Sequence, residues 1–134
     1  MRQPALLIFV IGLALAGCAR TMPVYNVPSA PVVTSSGKHL SADQVRSAIL
    51  GALNDKVLFG AGWVMKQDDP GKIMAELLVR THRADVEIAY SSSQYSIFYK
   101  DSQNLLYDGS SIHRNYNKWV QLLQKKIDQH LYTL

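Results

Sequence analysis

Apolar positions recur in two periods along this chain, and the period changes mark its elements. Val45, Ala48, Ile49, Ala52 and Leu53 fall on one helical face. Ser41-Ala42-Asp43-Gln44, just before them, forms a capping box: the serine caps the first turn and the glutamine reaches back three residues on. The pattern predicts a first helix from 42 to about 57, stopped by Gly60 and Gly62. The period then drops to two. Trp63-Val64-Met65 opens a short strand, and Asp68-Asp69-Pro70-Gly71 closes it as a turn, because proline presets one torsion and glycine accepts positive φ. Ile73, Ala75, Leu77 and Val79 alternate with Met74, Glu76, Leu78 and Arg80, and Ala84, Val86, Ile88 and Tyr90 with Asp85, Glu87 and Ala89. The phase shifts between Val79 and Ala84, which places a turn or bulge near 80–83. Ser91-Ser92-Ser93 is a second turn, after which Tyr95, Ile97 and Tyr99 oppose Ser96, Phe98 and Lys100. A shorter strand is expected from Asn104 to Tyr107, closed by Asp108-Gly109.

The last element returns to helical spacing. Tyr116, Trp119, Val120, Leu123, Ile127 and Leu131 form one stripe, with Lys118, Gln121, Gln124, Lys125 and Asp128 opposite. No strand–helix–strand alternation occurs, which argues against a doubly wound parallel sheet. The expected fold is α+β: an antiparallel meander of three to five strands with an N-terminal and a C-terminal helix packed on one face. Residues 41–134 would make up this single domain. At 134 residues, 48% hydrophobic and 18% charged, the chain has a globular composition.

Two segments precede the domain. Residues 1–17 carry Arg2 and then the uncharged apolar run Ala5 to Leu15, the n- and h-regions of a secretory signal. The run is too short for a comfortable membrane span, which needs about 20 apolar residues. Residues 18–40 hold Pro23, Pro28 and Pro31, then Thr34-Ser35-Ser36-Gly37, with neither period. This composition predicts a flexible tether, reaching on the order of 60 Å at roughly 3 Å per residue.

Leu15-Ala16-Gly17-Cys18, directly after the apolar run, resembles the lipobox of bacterial lipoproteins. Ala16 and Gly17 are small enough to admit a peptidase, and Cys18, the single cysteine, supplies the thiol that takes the acyl group. That resemblance implies removal of residues 1–17, three acyl chains including palmitate, and anchoring of the chain to a lipid bilayer through acylated Cys18. Two or more chains give stable attachment where one gives marginal attachment. Ala19 rather than aspartate follows the cysteine, and by the sorting pattern of this class that implies the outer membrane with the domain facing the periplasm.

The C-terminal half is similar to a family of small bacterial envelope lipoproteins of unassigned activity. The matching positions are Tyr95, Ile97, Tyr99, Ser102, Asn104, Leu105, Tyr107, Ile112, His113 and the Tyr-Asn-x-Trp run Tyr116, Asn117 and Trp119, with Arg80 and His82 upstream. The similarity implies a shared fold and location and no reaction.

Charge and chemistry narrow the function classes. The net charge of +4 permits an anionic partner without demanding one, and an exported, mildly basic chain does not have the profile of a nucleic-acid binder. One cysteine excludes a disulfide framework. A metal site would need His82 and His113 with Asp101 or Asp108, but no HxxxH or HxH spacing supports it. Asp68-Asp69 reads as solvated turn acids, Asp101–Asp108 lacks the glycine of a calcium loop, and Ser36-Gly37-Lys38 lacks the first glycine of a phosphate loop. No serine sits in a nucleophile elbow. No cofactor, metal or catalytic set is therefore expected. The basic and polar residues Arg80, His82, Arg83, His113 and Arg114 suggest a ligand site completed by Asn104, Tyr116 and Asn117, with His113 and Arg114 at a helix start that attracts anions. The leading expectation is a non-enzymatic envelope protein that binds a protein partner. The alternative is a binder of a small anionic ligand or cell-wall glycan through the His82/His113/Tyr116 region.

Overall fold

In the computed structural model, which describes residues 19–57 and 60–134, the chain is α+β. The elements run β1 (Thr21–Pro23), β2 (Val27–Pro31), α1 (Ala42–Asn54), β3 (Trp63–Asp69), β4 (Lys72–Val79), β5 (His82–Tyr90), β6 (Gln94–Gln103), β7 (Ser111–His113) and α2 (Arg114–Tyr132). A five-stranded antiparallel sheet has the order β2-β6-β5-β4-β3, and β1 pairs with β7 in a separate two-stranded ribbon. Residues 1–17 and Cys18 lie outside the described residues.

The hairpins follow their turn residues. Pro70-Gly71 connects Asp69 to its register partner Lys72, with Gly71 at φ 78 in the position that requires the left-handed region. Asp68 and Asp69 therefore belong to β3, which runs longer than expected. Arg80-Thr81 joins Val79 to its partner His82, and this two-residue turn is the phase change seen in the sequence. It also ends the strand alternation at Val79, so Arg80 sits in the turn at φ 56 rather than on the face that carries His82.

One face of the sheet is covered. Ile73, Ala75, Leu77, Val79, Ala84, Val86, Ile88, Tyr95 and Ile97 are buried and share one core with the buried stripes of both helices. The capping box at Ser41 and Gln44 is formed, and the buried residues of α1 are the five its spacing named. The helix stops at Asn54, earlier than expected, where Asp55 leaves helical geometry and turns its carboxylate to His130 Nε2 at 3.1 Å. The other sheet face is open and carries charged pairs. Arg83 bonds Asp85 and Asp101 there, so its charge is spent away from the histidines.

Two expectations fail. Residues 18–40 are not a free tether as far as they are described: β1 pairs with β7, β2 pairs with β6, and Val27, Ala30 and Leu40 enter the core. The extended backbone that proline favours is used here to add strands, and the prolines sit where ladder hydrogen bonds are few. The domain thus begins near Thr21 instead of Ser41. Residues 104–107 form an irregular loop instead of a strand, because Asn104 and Leu106 adopt φ 57 and 56, which no strand tolerates. The strand that follows is β7.

Candidate functional site

His82 opens β5 and His113 closes β7 as the N-cap of α2; the 104–105 turn holds them together. The His82 Nδ1–H donates to the Asn104 carbonyl at 2.6 Å, and the His113 N–H donates to the neighbouring Leu105 carbonyl at 2.7 Å. Asn104 Nδ2 donates to Thr81 Oγ1 at 2.8 Å, tying the loop to the hairpin tip that carries Arg80. The His82 ring stands 6.4 Å from Trp119, which is buried at the core edge.

His113 is held neutral. Its Nδ1 accepts the Asn115 N–H at 3.2 Å, a cap that requires an unprotonated nitrogen. Partial burial, then the nearby His82, Arg114 and Arg20, push its pKa below the ordinary histidine value. The ring proton therefore resides on Nε2, which is left as a donor.

The two remaining site residues serve the fold. Asn117 is buried, and its side chain is fully engaged: Oδ1 accepts the Tyr25 N–H at 2.9 Å and Nδ2 donates to the Pro23 carbonyl at 2.9 Å. It holds the chain between β1 and β2 against α2. Tyr116 is fully buried, meets Tyr99 edge-on at 5.6 Å between centroids, and its hydroxyl has no hydrogen-bond partner among the described residues. Burial pushes its pKa above the ordinary tyrosine value. Arg80, His82, Asn104 and His113 thus gather at one end of the domain, while Tyr116 and Asn117 lie beneath it, out of solvent.

Sequence reasoning missed a second feature at the other end of α2. A groove of about 780 Å³ runs between β2 and the C-terminal half of this helix. Ala30, Pro31, Val33 and Tyr132 give it an apolar lining, with Gln121 and Lys125 among its polar residues. Two of its lining side chains are fixed by short bonds: Tyr25 Oη donates to Gln124 Oε1 at 2.6 Å and Tyr95 Oη donates to Asp128 Oδ1 at 2.6 Å. No local pattern could reveal the groove, because one wall is a strand read as tether. Among the described residues no group of three or more His, Cys, Asp or Glu is placed to hold a metal, and no helix is long and apolar enough to cross a membrane.

No protein-family model, curated protein or solved structure matches this chain.

Proposed function

We propose that the chain is a non-enzymatic lipoprotein of the bacterial outer membrane, anchored in the bilayer through acylated Cys18. Its periplasmic domain binds an envelope protein partner in the groove between β2 and α2. The groove is the observation that carries this reading. It is apolar, as a protein side chain or short apolar segment needs, and its polar rim supplies orientation. β2 is an edge of the five-stranded sheet, but Pro28 and Pro31 deprive it of two N–H donors. An incoming chain is therefore received by side-chain insertion rather than by extending the sheet.

The alternative, a small anionic ligand or cell-wall glycan at His82/His113/Tyr116, has less in its favour. The Tyr116 ring is sealed in the core, and both amide atoms of Asn117 are used internally.

Two measurements test the proposal. Cys18→Ser removes the thiol that would accept the lipid, and the protein should leave the membrane pellet on fractionation; equal retention with wild type refutes the anchor. A photo-crosslinking residue placed at exposed Val33 or Gln121 should capture one discrete partner in cells, and the same residue at Lys72 should not. Identical adducts at all three positions refute the groove as the docking site.

A further inference from the structure

The described chain enters β1 at Thr21, and Thr21 pairs with His113 at the start of α2. Two residues, Ala19 and Arg20, separate Cys18 from Thr21, a span of at most about 11 Å. If Cys18 carries the lipid, the bilayer surface lies against this end of the domain, and the chemistry gathered there suits it. Arg20 and Arg114 are both exposed, are tied by the Arg114 N–H donating to the Arg20 carbonyl at 3.0 Å, and make no ion pair among the described residues. Asn104 ties the hairpin tip bearing Arg80 to the 104–105 turn, whose Leu105 carbonyl takes the N–H of His113, the residue before Arg114. The first turn of α2 contains no acidic residue.

A second, independent observation comes from the 104–107 loop, whose Leu105 carbonyl takes the His113 N–H. Leu106 is 57% exposed, and Tyr107, 42% exposed, stacks one ring face on Tyr99 at 4.2 Å between centroids while its hydroxyl donates to the Gly109 carbonyl at 3.3 Å. Leu106 holds φ 56, a left-handed backbone that a branched aliphatic residue seldom adopts. An exposed leucine and tyrosine near Arg20 and Arg114 are the residue types that settle at a membrane–water interface, with the tyrosine ring at headgroup depth and the arginines on lipid phosphates.

We propose that this end of the domain is a membrane-contact face on which Arg20 and Arg114 bind the phosphates of anionic lipids while Leu106 and Tyr107 seat in the interface. The proposal rests on the reading of Cys18 as the lipid anchor. Anchoring holds the face at the surface, and the face in turn fixes the domain's orientation, so that it stands on the bilayer instead of swinging on a tether.

The test uses the lipidated full chain in two kinds of vesicle, phosphatidylcholine alone and phosphatidylcholine mixed with phosphatidylglycerol. Phenylglyoxal modification of each arginine is followed by mass spectrometry. Arg20 and Arg114 should react about fivefold more slowly in the phosphatidylglycerol vesicles, the factor expected for one cation at an anionic surface. Arg46, held by Asp68 at a distance from this end, should react equally in both. In Leu106→Ser the protection should shrink while the fold remains intact by circular dichroism. Equal reactivity of Arg20 and Arg114 in both vesicles, with the protein floating on each, overturns the membrane face and leaves the anchor standing. Protection by inorganic phosphate in phosphatidylcholine vesicles, equal to that given by phosphatidylglycerol, also overturns it by revealing a site for free phosphate. Failure to float on either vesicle removes the anchor itself, and the face with it.

Discussion

Replacing Asn117 with alanine separates a structural tie from a binding residue. Asn117 gives one acceptor to the Tyr25 N–H and one donor to the Pro23 carbonyl, each at 2.9 Å. Alanine leaves both backbone groups without a partner. Each orphaned buried group costs about 1–3 kcal/mol. Tyr25 is only partly buried, so water re-pairs some of what is lost, and the sum expected is about 2–3 kcal/mol. That is a large share of the about 5–15 kcal/mol available to a domain of this size. The midpoint of thermal unfolding should fall by roughly 10 °C. The neighbouring Lys118→Ala, on the exposed side of α2, should stay within about 0.5 kcal/mol of wild type. Urea unfolding gives the total, and amide hydrogen exchange gives the place: the Tyr25 N–H should lose protection before the core strands do. A melt unchanged by Asn117→Ala, with the Tyr25 amide still protected, would refute the tie and return Asn117 to the list of ligand residues.

Three further outcomes are expected. Trp119→Ala should destabilise by about 3–5 kcal/mol in denaturant unfolding, because the indole is buried in the α2 stripe and the vacated space is too large to collapse; a loss below about 1 kcal/mol would mean that the indole is not part of the core. Tyr116→Phe should lie within about 1 kcal/mol of wild type or above it, since the hydroxyl removed is buried without a partner, and a large loss would reveal a hydrogen bond to that oxygen. Hydrogen bonding to His130, with Lys126 nearby, holds the Asp55 carboxyl below its ordinary value, so its contribution is present above the ordinary carboxylate pKa of about 4 and is lost as the pH falls through the depressed one; Asp55→Asn should flatten that acid limb in a pH series of melts, and an unchanged limb would deny the coupling.

Local signals carried the centre of the fold. The α1 stripe and its capping box, the β4 and β5 alternation and the α2 stripe are all periodic over many residues, and each buries the face its period selects. What escaped is what depends on distant partners. β1 and β2 are short, rich in proline and without alternation; they exist because β7 and β6 pair with them, and because Asn117, 92 residues along the chain, accepts the Tyr25 N–H. The 104–107 segment reads as apolar enough for a strand, but Asn104 and Leu106 take left-handed backbone, a choice set by the turn that joins His82 to His113. The candidate site was legible in half. His82, Asn104 and His113 converge as their positions at strand ends and helix start suggested, whereas Tyr116 and Asn117 share their helical face with the core stripe, and the core claimed them.

The loss of the tether changes what the domain can do. A loose linker on the order of 60 Å would let every surface sample the space above the membrane. With β1 zipped to β7, the described chain instead enters the fold directly beside the start of α2. The 19-residue helix then spans roughly 28 Å away from that end, at about 1.5 Å per residue. The groove lies along its far half, from Gln121 to Thr133. On the proposed reading, lipid contact and partner contact would occupy opposite ends of one helix, and neither would compete with the other for surface. A partner docking in the groove would then meet it at a height above the bilayer set by the length of α2. The buried ties of Asn117, Tyr25 and Tyr95 to this helix and its neighbouring strands keep the two ends in one orientation.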